Sequence, residues 1–152
     1  MSRHFDNDYV HDALARLRRI PADAKPKWGT LDRAGLIEHL IWVLRHSMGR
    51  SKAVPFMGNW VTRRLVAPLV LNGLVPIPKN IKFPKWLRKT GFDGREPGDE
   101  ETLQALLEEY LNLVQADELT PAPHPAFGDI GVDGWDRMHV RHFEHHFKQF
   151  GV

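Results

Sequence analysis

Four histidines fall within eight residues near the end of the chain, in the stretch GWDRMHVRHFEHHFKQFG. If this stretch is a helix with side chains at 100° steps, its core-facing side carries both imidazoles and apolar groups. That side comprises Trp135, Met138, His139, His142, His146, Gln149 and Phe150, while Arg137, Arg141, Glu144 and Lys148 lie opposite. Burying an imidazole whose nitrogens find no partner costs about 1–3 kcal/mol. Three on one stripe therefore need a common explanation, and a shared metal ion provides one.

The strongest part of this pattern is a pair of histidines four residues apart, His142 and His146. Because one helical turn separates them, one nitrogen of each ring can reach the same ion at about 2.0–2.1 Å, the distance for zinc. The alternative is that both are core histidines satisfied by hydrogen bonds, or donors behind a ligand. His139 lies one turn earlier and is interpreted as a core residue or one that orients a ligand. His145 lies on the flank of the helix.

A third ligand must come from another helix that faces the same interior. His39 lies in the middle of a segment that is apolar nearly all round, where a surface histidine is hard to place. His46, two turns later and facing a similar way, is the competitor; the pattern favours His39 but leaves both open. Glu38 points away from that interior by its helical angle, so it is not assigned as a general base. No spacing signal distinguishes His4, His11 and His124.

Helical periodicity predicts the elements that carry these residues. The first helix covers residues 7–19, and the second runs from a cap at Thr30 through Met48. A third is predicted from about residue 59 to residue 72, although Pro68 should kink it or end it early.

The second half of the chain begins with a long connection, residues 75–98, rich in proline and glycine, with one short turn around residues 85–89. Asp99 is predicted to cap a fourth helix over residues 100–115, and Asp133 to cap the last, which ends at Phe150 before Gly151. No strand pair is predicted. The expected fold is an all-α single domain over residues 1–152, with additional short helical segments.

The amino-acid composition limits the kinds of metal site, nucleophile and partner that the chain can have. The 152 residues contain no cysteine, which excludes disulfides, thiolate zinc sites, iron–sulfur clusters and a cysteine nucleophile, so a metal would be held by His, Asp or Glu. A formal charge of +2 predicts no nucleic-acid partner. The longest apolar run, residues 65–77, is too short to span a membrane and is interpreted as buried core, so no membrane partner is expected. Without a signal-peptide pattern at the start, a cytoplasmic location is expected.

At these residues the chain resembles the DinB-like (DinB/YfiT) superfamily of metal-dependent bundle proteins. The resemblance rests on His142, His146 and Gln149 in the last helix and on the pair His39–Leu40 in the second. A closer match is an uncharacterised branch with a WG turn and a tail of the form HPxFG…W…HxxHHxxQFG. The corresponding residues are Trp28–Gly29, His124–Pro125, Phe127–Gly128, Trp135 and Gln149–Phe150–Gly151, so the match spans nearly the whole chain.

The resemblance implies a four-helix bundle with an up-up-down-down course and a divalent ion (nickel, zinc or iron) on three histidines. It raises His39 above His46 as the third ligand, gives Gln149 a place behind the ligands, and implies a homodimer as a frequent state. Better-studied relatives include thiol-dependent isomerases and S-transferases, but the branch carries no assigned reaction. One departure is Phe147–Lys148, where superfamily members commonly have Arg–Gly.

Three functions follow as hypotheses. The first is a metal-dependent enzyme, a transferase or hydrolase acting on a small molecule such as a thiol or an anion, since three neutral imidazoles leave an ion its double charge and an open position. The second is a non-catalytic bundle that binds a metal or a small ligand. The third and weakest is DNA association through the basic loop that carries Lys79, Lys82, Lys85, Arg88 and Lys89.

Overall fold

The computed structural model of the chain describes residues 3–52 and 54–152. Over these residues the fold is all-helical, and its only strand-like pairing is an isolated bridge between His124 and Gly128. The helices are α1 (Asn7–Arg18), α2 (Arg33–Ser47), α3 (Ala67–Leu71), α4 (Lys85–Arg88), α5 (Glu100–Gln115) and α6 (Gly131–Phe150). A π-helical turn, Thr62–Val66, leads directly into α3. None of the described helices combines the length and apolarity needed to cross a membrane.

Three of the four long helices begin at an aspartate. Asp6, Asp32 and Asp99 each accept a hydrogen bond from a backbone N–H three residues later, which satisfies a donor that the first turn leaves free. The prediction of Asp99 as the cap of α5 is confirmed. For α2 the predicted cap, Thr30, is wrong, because Asp32 takes that place with its Oδ1 2.7 Å from Gly35 N. Two polar residues of cap type so close together could not be separated by pattern alone.

The last helix begins earlier than predicted. Gly131 is its first residue, no side chain caps it, and Asp133 therefore lies inside the first turn instead of before it. There the Asp133 carboxylate pairs with Arg137 one turn later, at 3.2 Å. The end of α6 is as predicted, because Gly151 follows Phe150 in the left-handed conformation (φ 76°) that favours glycine.

Pro68 neither ends nor interrupts the helical stretch that runs from residue 60 to residue 71. It sits at the second position of α3, directly after the π-helical turn. Proline has no N–H to offer the ladder, and the wider π turn that precedes it changes the register in which bonds form. The expectation that residues 65–77 are buried core is wrong: the side chains of Leu65 and Leu74 are 53% and 72% exposed.

The core lies between the four long helices. α2 is buried on most of its circumference, in agreement with its nearly uniform apolar sequence, and packs on α5. α1 packs on both α5 and α6, and α3 packs on α6. α2 and α6 meet through hydrogen bonds between side chains, His39 with His142 and Ser47 with His139. These contacts bring the middle of α2 against the histidine-rich face of α6.

Candidate metal centre

Three histidines from two helices meet in this interior: His39 from α2, and His142 and His146 from successive turns of α6. Their ring nitrogens lie within 4.8 Å of one another, a grouping that could hold a metal ion. His142 and His146 are buried, whereas His39 is partly exposed. We call these three the convergent histidines. The structure thus brings together the three residues that the sequence and the resemblance single out.

The nitrogens that meet are the Nε2 atoms. His142 Nε2 lies 3.0 Å from His39 Nε2 and 3.1 Å from His146 Nε2. Two ligand atoms bound to one ion at 2.0–2.1 Å, with octahedral to tetrahedral angles, are separated by about 2.9–3.4 Å. Both Nε2–Nε2 separations fall in that interval. These two separations suit a divalent first-row ion such as zinc, nickel or iron, and the three nitrogens together could hold one.

The ring of His39 is held from behind by the chain that precedes α5. Its Nδ1 lies 2.8 Å from the backbone oxygen of Gly94. Because a carbonyl only accepts, Nδ1 must carry the hydrogen and donate it, and in the neutral ring Nε2 keeps its lone pair. Gly94 has φ 70°, and a Cβ at this position would come within 2.7 Å of the Phe83 ring, so glycine is required for this approach.

A similar contact fixes His146. Its Nδ1 lies 2.7 Å from Gln149 Oε1, and the amide nitrogen of Gln149 donates to the Trp28 carbonyl at 2.9 Å. That second bond orients the amide, so its oxygen must face the imidazole, and His146 Nδ1 is the donor. The Nε2 atom of His146 therefore also presents a lone pair. Two lone pairs from different helices are thus directed at the same third nitrogen.

His142 has no such support. Its Nδ1 is buried and lacks a hydrogen-bond partner among the described residues. If Nε2 carries the hydrogen, one proton is shared between two acceptors; if Nδ1 carries it, three lone pairs face one another. An unsatisfied buried nitrogen costs about 1–3 kcal/mol in either tautomer. Hydrogen bonding therefore does not account for the burial of His142, whereas a cation at the meeting point would use all three lone pairs.

The electrostatics keep these rings neutral, as metal ligands must be. Burial, followed by the neighbouring imidazoles of His146 and His39, lowers the pKa of His142 well below its usual range. Burial and the nearby His39 ring lower the pKa of His146 to about 3, although its hydrogen bond to Gln149 opposes that shift. Burial likewise lowers the pKa of His39, against the effect of the Gly94 carbonyl.

A second group comprises the separate histidines: His46 two turns after His39 on α2, His139 one turn before His142 on α6, and His124 on the loop that precedes α6. His46 Nε2 donates to the Pro123 carbonyl at 3.0 Å. His124 Nδ1 accepts from two backbone amides, those of Ala126 and Phe127, at 3.1 Å each. Each ring therefore has its own backbone partner. His46, the competing candidate for the third ligand, belongs to this group and not to the convergent one.

His139 is also satisfied separately. The Ser47 hydroxyl gives its hydrogen to the Leu44 carbonyl (2.7 Å), so its oxygen accepts from His139 Nε2 at 3.1 Å. The ring packs against Tyr110 and Trp135 in the core, and burial lowers its pKa to about 3. His139 thus hydrogen bonds to Ser47 and to none of the convergent histidines, whereas Gln149 contacts His146 directly.

The remaining histidines stand outside both groups. His4 and His11 are exposed, and His145 is half-buried on the flank of α6, where its ring lies 5.6 Å from that of Trp28. The Lys79 ammonium lies over the same Trp28 ring, 4.4 Å from its centroid. Together with burial, the charges of Lys148 and Lys79 lower the pKa of His145. A cation therefore lies beside the flank of the site.

Two parts of the site could not be read from the sequence as functional. The carbonyl groups of Gly94 and Trp28 orient the ligands, yet a backbone oxygen has no residue signature. Phe83 and Phe92 pack edge-on against Trp42, whose ring stacks on His39 at 6.0 Å, so they wall one side of the site. The only available signals were Trp28, which carried part of the resemblance, and Gly94, one of several glycines in the connection.

The region that contains this site matches a known protein family. The model of a protein family of unknown function, DUF1569, matches residues 1–151. The chain belongs to the DUF1569 family. Both helices that supply the convergent histidines lie inside the matched range, so in this DUF1569 protein the candidate metal centre is part of the family region. Neither the curated proteins nor the solved structures yield a match.

Proposed function

We propose that this DUF1569 protein is a divalent-metal-dependent enzyme that acts on a small molecule, a thiol or an anion, by transferase or hydrolase chemistry. His39, His142 and His146 are the proposed ligands. The observation that carries the proposal is the fixed tautomer of two rings: the Gly94 carbonyl and the Gln149 amide oxygen each hold an Nδ1–H, which aims both Nε2 lone pairs at His142 Nε2. A metal-bound imidazole usually donates the N–H of its other ring nitrogen to an acceptor of this kind.

We also propose that the chain is a four-helix bundle of the DinB-like superfamily. Contacts run from α2 to α5, from α5 to α1, from α1 to α6, and from α6 back to α2 through the histidines. A closed ring of four long helices supports the four-helix bundle that the DinB-like resemblance implies, with α3 and α4 as additions. Ligands on facing helices of a bundle core are a known arrangement for metal sites in such folds.

An open coordination position supports an enzyme. The cluster of metal-type side chains found in the described residues contains three histidines and no carboxylate. Three protein ligands with a vacant position are typical of catalytic sites, while structural sites use four. When bound, the ion would act as a Lewis acid and lower the pKa of a thiol or a water molecule. The chain's own part is to hold the ring orientations, exclude water on the Trp42 side and supply positive charge nearby.

Two cations support a negatively charged substrate. Lys79 lies over the Trp28 ring beside His145, and the positive charge of Arg95 is close enough to His39 to contribute to lowering its pKa. Asp93 acts on His39 in the opposite direction, so the field is not uniformly positive. A thiolate, carboxylate or phosphate approaching from this flank would meet Lys79 before the convergent histidines.

A non-catalytic metal-binding bundle is the second candidate. It is favoured by the burial of two of the three ligands, since His142 and His146 are each less than a tenth exposed. An ion held so deeply could serve stability alone. The two candidates share the same ligands and differ in whether a small molecule can reach the ion.

Elemental analysis of the purified protein tests the ligand set. We expect about one divalent ion per chain in the wild type, near-complete loss in His142→Ala and His146→Ala, and retention in the matched control His145→Ala. Equal metal content in all four proteins would remove the assignment. Circular dichroism would establish that each variant is folded.

Absorption spectroscopy of a cobalt- or nickel-substituted sample separates the two candidates. For an enzyme of the proposed kind, adding a low-molecular-weight thiol or an anion shifts the ligand-field bands, and the shift depends on pH because the thiolate is the species that binds. Unchanged bands at every pH, in a sample that holds its metal, would favour the non-catalytic bundle.

A further inference from the structure

The large exposed hydrophobic side chains of the described residues share one segment of the chain. Among the residues that the structure describes, every large hydrophobic side chain classed as exposed lies in segment 54–92. They are Phe56, Trp60, Val61, Leu65, Leu69, Leu74, Val75, Ile81 and Trp86. Trp60 is 67% exposed and Leu74 72%. Nine large exposed hydrophobic side chains within one segment are a feature that can mark a site of interaction.

Six of these side chains belong to one helical stretch and its exit. Val61, Leu65 and Leu69 follow at four-residue intervals, on the side away from Ala67 and Val70, which are buried where α3 packs on α6. Trp60 begins the stretch. At its end Gly73 has φ 71°, and the Leu74 N–H bonds to the Leu69 carbonyl at 2.9 Å, so Leu74 and Val75 follow directly on the last turn. We call these six side chains the apolar stripe.

The same segment is free of acidic residues. From residue 54 to residue 92 there are seven Lys or Arg and no Asp or Glu, while the rest of the chain carries fourteen Lys or Arg against nineteen Asp or Glu. The small overall charge of +2 therefore conceals a basic segment on an otherwise acidic protein. Arg64 lies next to Leu65 in the helical stretch, and Lys85 lies next to Trp86 in α4.

We propose that segment 54–92 docks on an anionic lipid membrane, with the apolar stripe from Trp60 to Val75 entering the headgroup region. Helices that lie in a membrane interface combine an apolar face containing Trp and Leu with Lys and Arg that attract anionic lipid. Segment 54–92 carries both features. The expectation of no membrane partner rested on the lack of a spanning segment, and a helix that lies on the surface needs none. This inference is independent of the metal centre.

The basic charge and the aliphatic side chains of segment 54–92 favour an anionic membrane over a second copy of the chain or a nucleic acid. In a symmetric homodimer formed through this face, the basic residues of one copy would meet those of the other, which opposes association. A nucleic acid would match the charge, but most of the exposed side chains are aliphatic and offer no ring for base stacking. An anionic bilayer accommodates both the aliphatic stripe and the basic charge.

Vesicle co-sedimentation tests the proposal with the full chain. We expect binding to phosphatidylcholine vesicles that contain about a third phosphatidylserine, at least tenfold weaker binding to phosphatidylcholine alone, and weakening with salt. Leu65→Asp with Leu69→Asp should reduce binding at least tenfold, and both side chains are exposed enough for the fold to tolerate the change. Arg64→Glu with Lys85→Glu should do the same.

The matched control is Arg19→Glu with Lys25→Glu, which makes an equal change in net charge at exposed positions outside the segment. It should bind as the wild type within about threefold. Brominated lipid should quench tryptophan fluorescence in the wild type and less in Trp60→Phe. No binding to anionic vesicles, or equal loss in the control, would overturn the proposal. So would a dimer, measured by sedimentation velocity, that Leu65→Asp with Leu69→Asp dissolves, or binding to duplex DNA without binding to vesicles.

Discussion

The convergent and the separate histidines use the same residue type in opposite ways. In the separate group, His46, His124 and His139 each find a partner of their own: a carbonyl, a pair of backbone amides and a hydroxyl. In the convergent group, His39 and His146 use one nitrogen for such a partner and turn the other toward His142. A buried histidine therefore indicates a metal site only when its second nitrogen is left over and shares a target with others.

The largest expected effect is a metal-dependent gain in stability that requires the convergent histidines but not the separate ones. A divalent ion at about 1,000 times its Kd raises the free energy of unfolding by about 4 kcal/mol, provided that it binds only the folded state. We expect this increment in the wild type and in His46→Ala, and little of it in His39→Ala. Urea unfolding followed by circular dichroism, with and without Zn²⁺ after removal of metal by chelation, measures it. The same increment in both variants would place the ion elsewhere.

A smaller effect tests the partner behind a convergent ring. Gln149→Leu removes the acceptor that orients His146 Nδ1, and loss of such a partner weakens metal affinity about 10–100-fold. Gln115→Leu, at an exposed position at the end of α5, is the matched control and should leave affinity unchanged. Competition with a chromophoric chelator gives both Kd values. An unchanged Kd in Gln149→Leu would mean that His146 needs no support from Gln149.

The smallest expected effect is a reversal with pH in the separate group. His139→Leu loses the hydrogen bond to Ser47 and should be less stable than the wild type by about 1 kcal/mol at pH 7. Because burial lowers the pKa of His139 to about 3 in the folded state, against about 6.5 unfolded, the unfolded chain binds more protons between these values. Wild-type stability is therefore lost as the pH falls through this window, by about 2 kcal/mol from this residue at pH 5.

The leucine variant lacks that proton-linked loss, so at pH 5 it should equal or exceed the wild type in stability. Denaturant unfolding of both proteins at pH 7 and pH 5, each free of metal so that ion release does not contribute, provides the comparison. A constant difference at the two pH values would show that His139 takes up a proton in the folded state.

Periodicity was enough to predict the helices and the face of α6, because packing against a core imposes the 3.6-residue repeat. It failed at the helix starts: Asp32 caps α2 in place of Thr30, and α6 begins at Gly131 without a side-chain cap, two residues before Asp133. It also failed for residues 65–77, because apolarity alone does not reveal that Leu65 and Leu69 face outward while Ala67 and Val70 face α6.

The candidate metal centre was likewise predictable from the sequence only in part. The spacing of His142 and His146 was visible because both lie on one helix, where geometry is local. The approach of His39 depends on how α2 meets α6, so the residues alone favoured His39 but left His46 open as a competitor. The carbonyls of Gly94 and Trp28 depend on the route of two irregular segments, which no periodic pattern describes.

The contact that holds His39 is made by a main-chain atom of an irregular connection, and this has a kinetic consequence. No substitution of a side chain can delete the Gly94 carbonyl, but any displacement of that connection withdraws it and lets the imidazole rotate. The rates at which an ion binds to and dissociates from these rings would then depend on how often the backbone of residues 93–95 moves. The residence time of the ion would report how firmly that stretch of backbone is seated.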